Sequence, residues 1–157
     1  MIKITTPIDQ VDLATNAGFL FGSRLVTKDG NEYLYLKGTT DVEKYDVCYF
    51  TTSTGSVVRL ITALALNAPV GVAQGAITSN KSGWFQVYGT GWAQCDAGAS
   101  SGSSLYASGT AGTISGVLLA GESVLNMIAI GDGTSTANGT VRVRMHHPYL
   151  RDVIAKL

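Results

Sequence analysis

His146 and His147 are the only histidines in this chain of 157 residues, and they are adjacent. Neighbouring side chains on a strand point to opposite faces, so the pair is not set to share one metal ion. No Cys or His spacing matches a zinc site. Serines and threonines are plentiful, but none stands in a G-x-S-x-G elbow, and Gly98-Ala99-Ser100-Ser101-Gly102 reads as a polar loop. Gly89-Thr90-Gly91 and Gly131-Asp132-Gly133-Thr134 have the glycines of a phosphate cradle. They lack the Lys-Ser/Thr step and the helix start that such a cradle needs, so both read as hairpin turns. Asp41, Glu43 and Asp46 form an acidic cluster, and paired carboxylates are the tools of glycoside hydrolysis. With Lys44 among them, a solvated loop is the simpler reading. The expectation is a protein that is not an enzyme, with no catalytic residue, metal or cofactor.

The aromatic residues suggest recognition instead. Trp84, Tyr88 and Trp92 lie within Pro69 to Gly98, PVGVAQGAITSNKSGWFQVYGTGWAQCDAG, a stretch of strands and glycine-bearing turns. Three readings stand open for them: core, the centre of a protein interface, where aromatics are enriched, or a face that stacks on sugar rings. From Leu60 to Gly121 only Lys81 and Asp96 carry charge. That long span has little ionic surface, and it is expected to be covered partly by the domain's own core and partly by other protein.

Composition agrees with association. Charged residues make up 14% of the chain, against about 25% in a typical soluble protein. Formal net charge is zero, which favours association and argues against nucleic-acid binding, where a clustered basic surface is the norm. The N-terminal MIKITTPIDQVD has no apolar h-region, so the expectation is no secretory signal and a protein made and kept in the cytosol. No window approaches the roughly 18 apolar residues of a membrane span. Cys48 and Cys95 sit in strand-like runs and read as buried thiols, with a disulfide left open.

The elements that must position these residues read as all-β: a small barrel or sandwich of short antiparallel strands, with an N-terminal arm and short terminal helical segments. Residues 1–22 form the arm, in which Asp9 caps a short helix ending near Gly18. Phe19, Leu20 and Phe21 are too apolar to hang free and must dock on their own domain or on a neighbour. Residues 23–157 form one β domain. Its first hairpin runs from Leu25 to Lys37 around Asp29-Gly30, with Tyr33 and Tyr35 on one face and Leu34 and Leu36 on the other. A second joins Tyr45–Thr51 to Val57–Ile61 through a turn with a late glycine, Gly55. In Val70 to Ile77 the valines share one face, and Gly71, Ala73 and Gly75 leave the other open to a close neighbour. In the next strand Phe85 and Val87 oppose Trp84, Gln86 and Tyr88. Leu105–Ala107 and Thr113–Ser115 are short strands inside a polar stretch. Val117-Leu118-Leu119 and Met127 to Ile130 read as core strands, and Val141, Val143 and Met145 alternate with outward Arg142 and Arg144. From about residue 148 the spacing of Leu150, Val153, Ile154 and Leu157 fits a short helix or docking tail. No internal repeat of fixed period is evident.

From Lys37 to Ser108 the chain resembles the small β-barrel capsid decoration (cement) proteins of tailed bacteriophages. The matching pieces are the hairpin DVCYFTTSTGSVVRLIT, then APVGVAQGAI, then SGWFQVYGTGWAQC, then a Gly/Ser-rich passage into SLYASGTAG. The resemblance implies binding to the outer surface of the phage head, commonly as a homotrimer, where the protein locks neighbouring major capsid subunits together. From the composition, neither a membrane nor direct nucleic-acid contact is expected. Phe19, Leu20, Phe21, Trp84, Tyr88 and Trp92 are the candidate interface residues. The rival reading is a carbohydrate-binding or adhesion module of a phage tail or head fibre, with a host-surface glycan as partner.

Overall fold

The computed structural model describes residues 19–61, 67–96, 98–118, 122–131 and 139–152. These residues are all-β, with ten strands in one mixed sheet and no helix among them. The strands are β1 (Arg24–Val26), β2 (Glu32–Gly38), β3 (Val47–Phe50), β4 (Ser56–Arg59), β5 (Val70–Ala73), β6 (Ser82–Cys95), β7 (Ser104–Ala107), β8 (Ile114–Ser115), β9 (Glu122–Ala129) and β10 (Gly139–Asp152). The arm before Phe19, with its expected helix, lies outside the described residues, as do Leu119, residues 132–138 and the tail after Asp152.

Both expected hairpins form for the expected reason. At the β1–β2 turn Gly30 takes φ +81°, and Thr27 N–H donates to Asn31 O at 2.9 Å. At the β3–β4 turn Gly55 takes φ +65° and donates to Thr51 O at 2.9 Å. These left-handed conformations carry no Cβ penalty at glycine.

The sheet closes on itself twice. Pairings β2–β4, β4–β3, β3–β5, β5–β6 and β6–β2 complete one ring of five strands. Pairings β6–β8, β8–β7, β7–β9, β9–β10 and β10–β6 complete a second. The 14-residue β6 belongs to both, serving as last strand of the first ring and first strand of the second. In each ring one pairing is parallel, β2–β4 and β6–β8 respectively, so the antiparallel expectation needs that correction. Nor are all the strands short, since β10 also has 14 residues.

The two rings are the same unit, which corrects the expectation of no repeat. An offset of 57 positions maps the pair Gly38–Val57 onto Cys95–Ile114, and Tyr49–Val58 onto Tyr106–Ser115. Thr39 N–H donates to Val57 O at 3.0 Å, and Asp96 N–H to Ile114 O at 2.9 Å. Aligned this way, residues 46–60 and 103–117 share only Tyr49/Tyr106 and Gly55/Gly112 as identities. The rest of the match is of size and burial, which is why the repeat escapes a reading of the letters.

Three apolar clusters hold the strands. Leu36, Val42, Cys48, Phe50, Val57, Ala73, Ile77, Phe85 and Val87 fill the first ring. A larger core fills the second ring and reaches back to Val47, Leu60, Val70 and Val72. Strands β3 and β5 therefore bury both faces, one in each core. The missing side chain at Gly71 admits Phe85 and Val87, as the row of small residues predicts. This double burial explains much of the charge-poor span without any second protein. The third cluster, Leu25, Tyr33, Tyr35 and Trp84 with Phe19 against it, lies on the other side of β2 and β6.

Several expectations are corrected. Asp46 is not in a solvated loop: it is sealed from solvent with its Oδ2 at 2.7 Å from Arg59 Nε. That N–H is not aimed at the oxygen, so the contact is an ion pair and not a directed hydrogen bond. Asp41 does sit at the surface, where it accepts from Ser79 N–H at 2.7 Å. Cys48 and Cys95 are both buried and free, so no disulfide joins them. Val117 and Leu118 are exposed and follow β8 instead of forming a core strand. The chain leaves the sheet at Gly116, which packs against the Gly98 backbone too closely to admit a side chain. At the end of β9 the apolar run is not all core: Met127 and Ala129 are buried, Ile128 is exposed. Leu150 belongs to β10 and not to a helix, because pairing with β9 continues to Asp152.

Candidate functional site

Gly89-Thr90-Gly91 is not a turn but a bend within β6, at the point where this strand passes from the first ring to the second. One extra β6 residue stands opposite β2 just before it, since Tyr33 pairs with Gln86 and Glu32 with Tyr88. Side chains make the hydrogen bonds that a tight turn would have made. Gln86, fully buried, donates from Nε2 to Tyr88 O at 3.2 Å and to Thr90 O at 3.1 Å. Asn31 Oδ1 accepts from Thr90 N–H at 3.0 Å and so ties the β1–β2 turn to the bend. A Cβ at Gly89 would strike Asn31, and one at Gly91 would strike Gln86, so both positions demand glycine.

A groove lies along the bend. Its volume is about 490 Å³, and its walls are Asp29, Gly30 and Asn31 of the turn, Tyr88 to Trp92 of β6, and Arg142 of β10. Trp92 stands directly across from Arg142 in the β6–β10 register, and its side chain is 46% exposed. Asp29 and Arg142, on opposite walls, make no ion pair with any described residue. Beneath the turn, burial pushes the Tyr33 phenol above its ordinary pKa; the Asn31 bond opposes that shift and the Asp29 charge adds to it.

The two histidines flank the same bend. Between Met145–Met127 and Tyr149–Leu125 the register of β10 and β9 shifts, with His146, His147 and Pro148 opposite Asn126. His147 has φ +51° and Asn126 φ +60°. Pro148, which has no N–H to give a ladder, is accommodated by this irregularity. The distortion cancels the strand rule that would separate the histidines. Both rings meet Tyr88, His146 edge-on at 5.1 Å and His147 tilted at 5.4 Å. His147 Nε2 also lies 3.8 Å from Glu32 Oε2, which is paired with Arg24 at 3.1 Å. Among the described residues no group of three or more His, Cys, Asp or Glu is placed to hold a metal ion.

The six candidate interface residues fall into three places. Trp84 is 3% exposed and packs at 5.1 Å on Phe19 and 5.2 Å on Tyr35, so its rings are occupied within the chain. Leu20 and Phe21, by contrast, are 82% and 54% exposed, although Phe21 stacks one face on Tyr35. Tyr88 and Trp92 line the groove. Sequence reasoning missed Asp29, Asn31 and Arg142, because nothing in the linear order brings a hairpin turn beside the middle of β6. It also missed Ile61 and Leu118, exposed residues at equivalent positions just after β4 and β8. Aligning the two hairpins at the 57-residue offset would have paired them. Compared with known proteins, the chain matches no family model and no curated protein.

Proposed function

We propose that this protein is a capsid decoration protein of a tailed phage, bound to the outer surface of the head and holding neighbouring major capsid subunits together. One observation carries the reading. Each ring leaves an apolar side chain exposed at the same place, Ile61 in the first and Leu118 in the second. A bridging protein needs at least two contact points, and a duplicated unit offers two like ones to a shell built of repeated subunits. Leu20 and Phe21 add an apolar step at the N-terminal side. The reading assigns the protein no reaction, and a homotrimer as its bound form, which would multiply these contacts. Many weak contacts to one shell reinforce one another, because a released contact stays close to its site. The test is cosedimentation with purified heads, followed by heating of stripped and decorated particles. Stripped particles should release DNA at lower temperature, and adding the protein back should restore resistance. Equal release temperatures would reject the reading.

A further inference from the structure

We propose that the groove at the β6 bend binds a pyranose ring that carries a carboxylate, the acidic sugar unit of a surface glycan. The inference goes beyond capsid decoration and does not depend on it, since it rests on other residues than Ile61, Leu118, Leu20 and Phe21.

Four features of the groove lead there. Its volume of about 490 Å³ lies in the range of small-ligand sites, roughly 300 to 1,000 Å³, and exceeds one sugar ring. Trp92 offers a half-exposed indole at the edge of the groove. The C–H face of a pyranose stacks on such a ring, while its hydroxyls need polar walls. Those walls are present: Asp29 accepts from hydroxyls, and Arg142, across from Trp92, presents a planar guanidinium that matches a carboxylate in two parallel bonds. The site is also built before the ligand arrives. Asn31 holds the turn to the bend, and Gln86 holds the bend to itself, so little ordering remains at binding.

Other ligand classes fit less well. A phosphate dianion or a nucleic acid would find a single cation, Arg142, among the lining residues, in a chain of zero net charge, whereas one carboxylate needs only that one partner. A purely apolar ligand would strand the charges of Asp29 and Arg142. A metal ion would find one carboxylate and a guanidinium.

Calorimetric titration of the full chain with N-acetylneuraminic acid, methyl glucuronide and methyl glucoside tests the proposal. At least one acidic sugar should bind, with methyl glucoside about tenfold weaker or more, the cost of one charge-assisted bond. Trp92→Ala should abolish binding, and Arg142→Gln should bring the acidic sugar down to the level of the neutral one. Asp29→Asn and Arg142→Gln alter exposed side chains, so they keep the test valid even if Trp92→Ala unfolds; circular dichroism monitors all three. Absence of binding at millimolar acidic sugar, or equal binding of the neutral one, overturns the proposal. So does binding that is indifferent to Arg142→Gln. If no sugar binds and Trp92→Ala weakens cosedimentation with heads, the groove is a protein contact instead.

Discussion

Gly55 and Gly112, 57 positions apart, take the left-handed conformation at equivalent places in the two rings, with φ +65° and +84°. Gly55 lies between β3 and β4 and donates to Thr51 O, whereas Gly112 lies between β7 and β8 and donates to Leu60 O, so their surroundings differ. A Cβ at Gly55 would lie 3.2 Å from Phe21 Cβ, whereas one at Gly112 would press on the Asp46 carboxylate and the Arg59 guanidinium. Alanine at either site should cost about 1 to 2 kcal/mol for the left-handed backbone. Gly112→Ala should cost clearly more than Gly55→Ala, because a buried ion pair has to move. Urea unfolding of the two variants checks the order; equal losses would mean that the loop relaxes freely.

Asp46 gives the stability an unusual pH dependence. Burial raises its carboxyl pKa above the ordinary value, against the opposing effects of the Glu43 N–H and Arg59. The folded state therefore holds this proton more tightly than the unfolded chain does. The contribution of this group favours the fold at low pH and is lost as pH rises through the folded pKa. Relative to Asp46→Asn, the natural protein should gain stability as pH falls from about 7 toward the ordinary carboxylate range. A relative loss on acidification would show that attraction to Arg59 outweighs burial. Removing the partner by Arg59→Ala should cost about 3 kcal/mol, since it leaves the sealed carboxylate uncompensated.

The two tryptophans should behave as opposites. Trp84→Ala removes the centre of the aromatic cluster and should cost about 3 kcal/mol or more. Trp92→Ala should stay within about 0.5 kcal/mol, as a surface change does. Iodide should quench the fluorescence of Trp92 and spare Trp84. Matching stabilities for the two variants would contradict the assignment of one ring to core and the other to groove.

If Ile61 and Leu118 are paired contact points, their losses should compound. Ile61→Asp or Leu118→Asp alone should weaken capsid binding and leave some protein on the shell. The double variant should lose a hundredfold or more relative to either single one, on the order expected when two linked contacts become none. Cosedimentation over a concentration series reads this directly. A double variant no weaker than the single ones would show that only one ring meets the shell.

Much of the local structure is legible in the residues. Asp29-Gly30 and Gly55 mark their turns because those dihedrals favour glycine, and alternation along β2 and β10 assigns their faces because a strand has a period of two. The readings that failed share one cause. Gly89-Thr90-Gly91 looks like a turn until Asn31 and Gln86 supply its hydrogen bonds, and neither choice of partner is written in the neighbouring letters. Val117 and Leu118 look like core until Gly116 meets Gly98 and ends the strand.

The sequence by itself determined an all-β chain, its hairpin turns, the inward and outward faces of most strands and its poverty of charge, since each of these follows from neighbouring residues and backbone sterics. Tertiary structure alone decided that the strands close into two like rings sharing β6, and that Asp29, Trp92 and Arg142 meet at one groove. Ring closure and the groove depend on pairings between residues many positions apart. Two units with only Tyr49/Tyr106 and Gly55/Gly112 in common across their hairpins can share those pairings, because a ladder needs matching size, burial and backbone dihedrals and not matching letters.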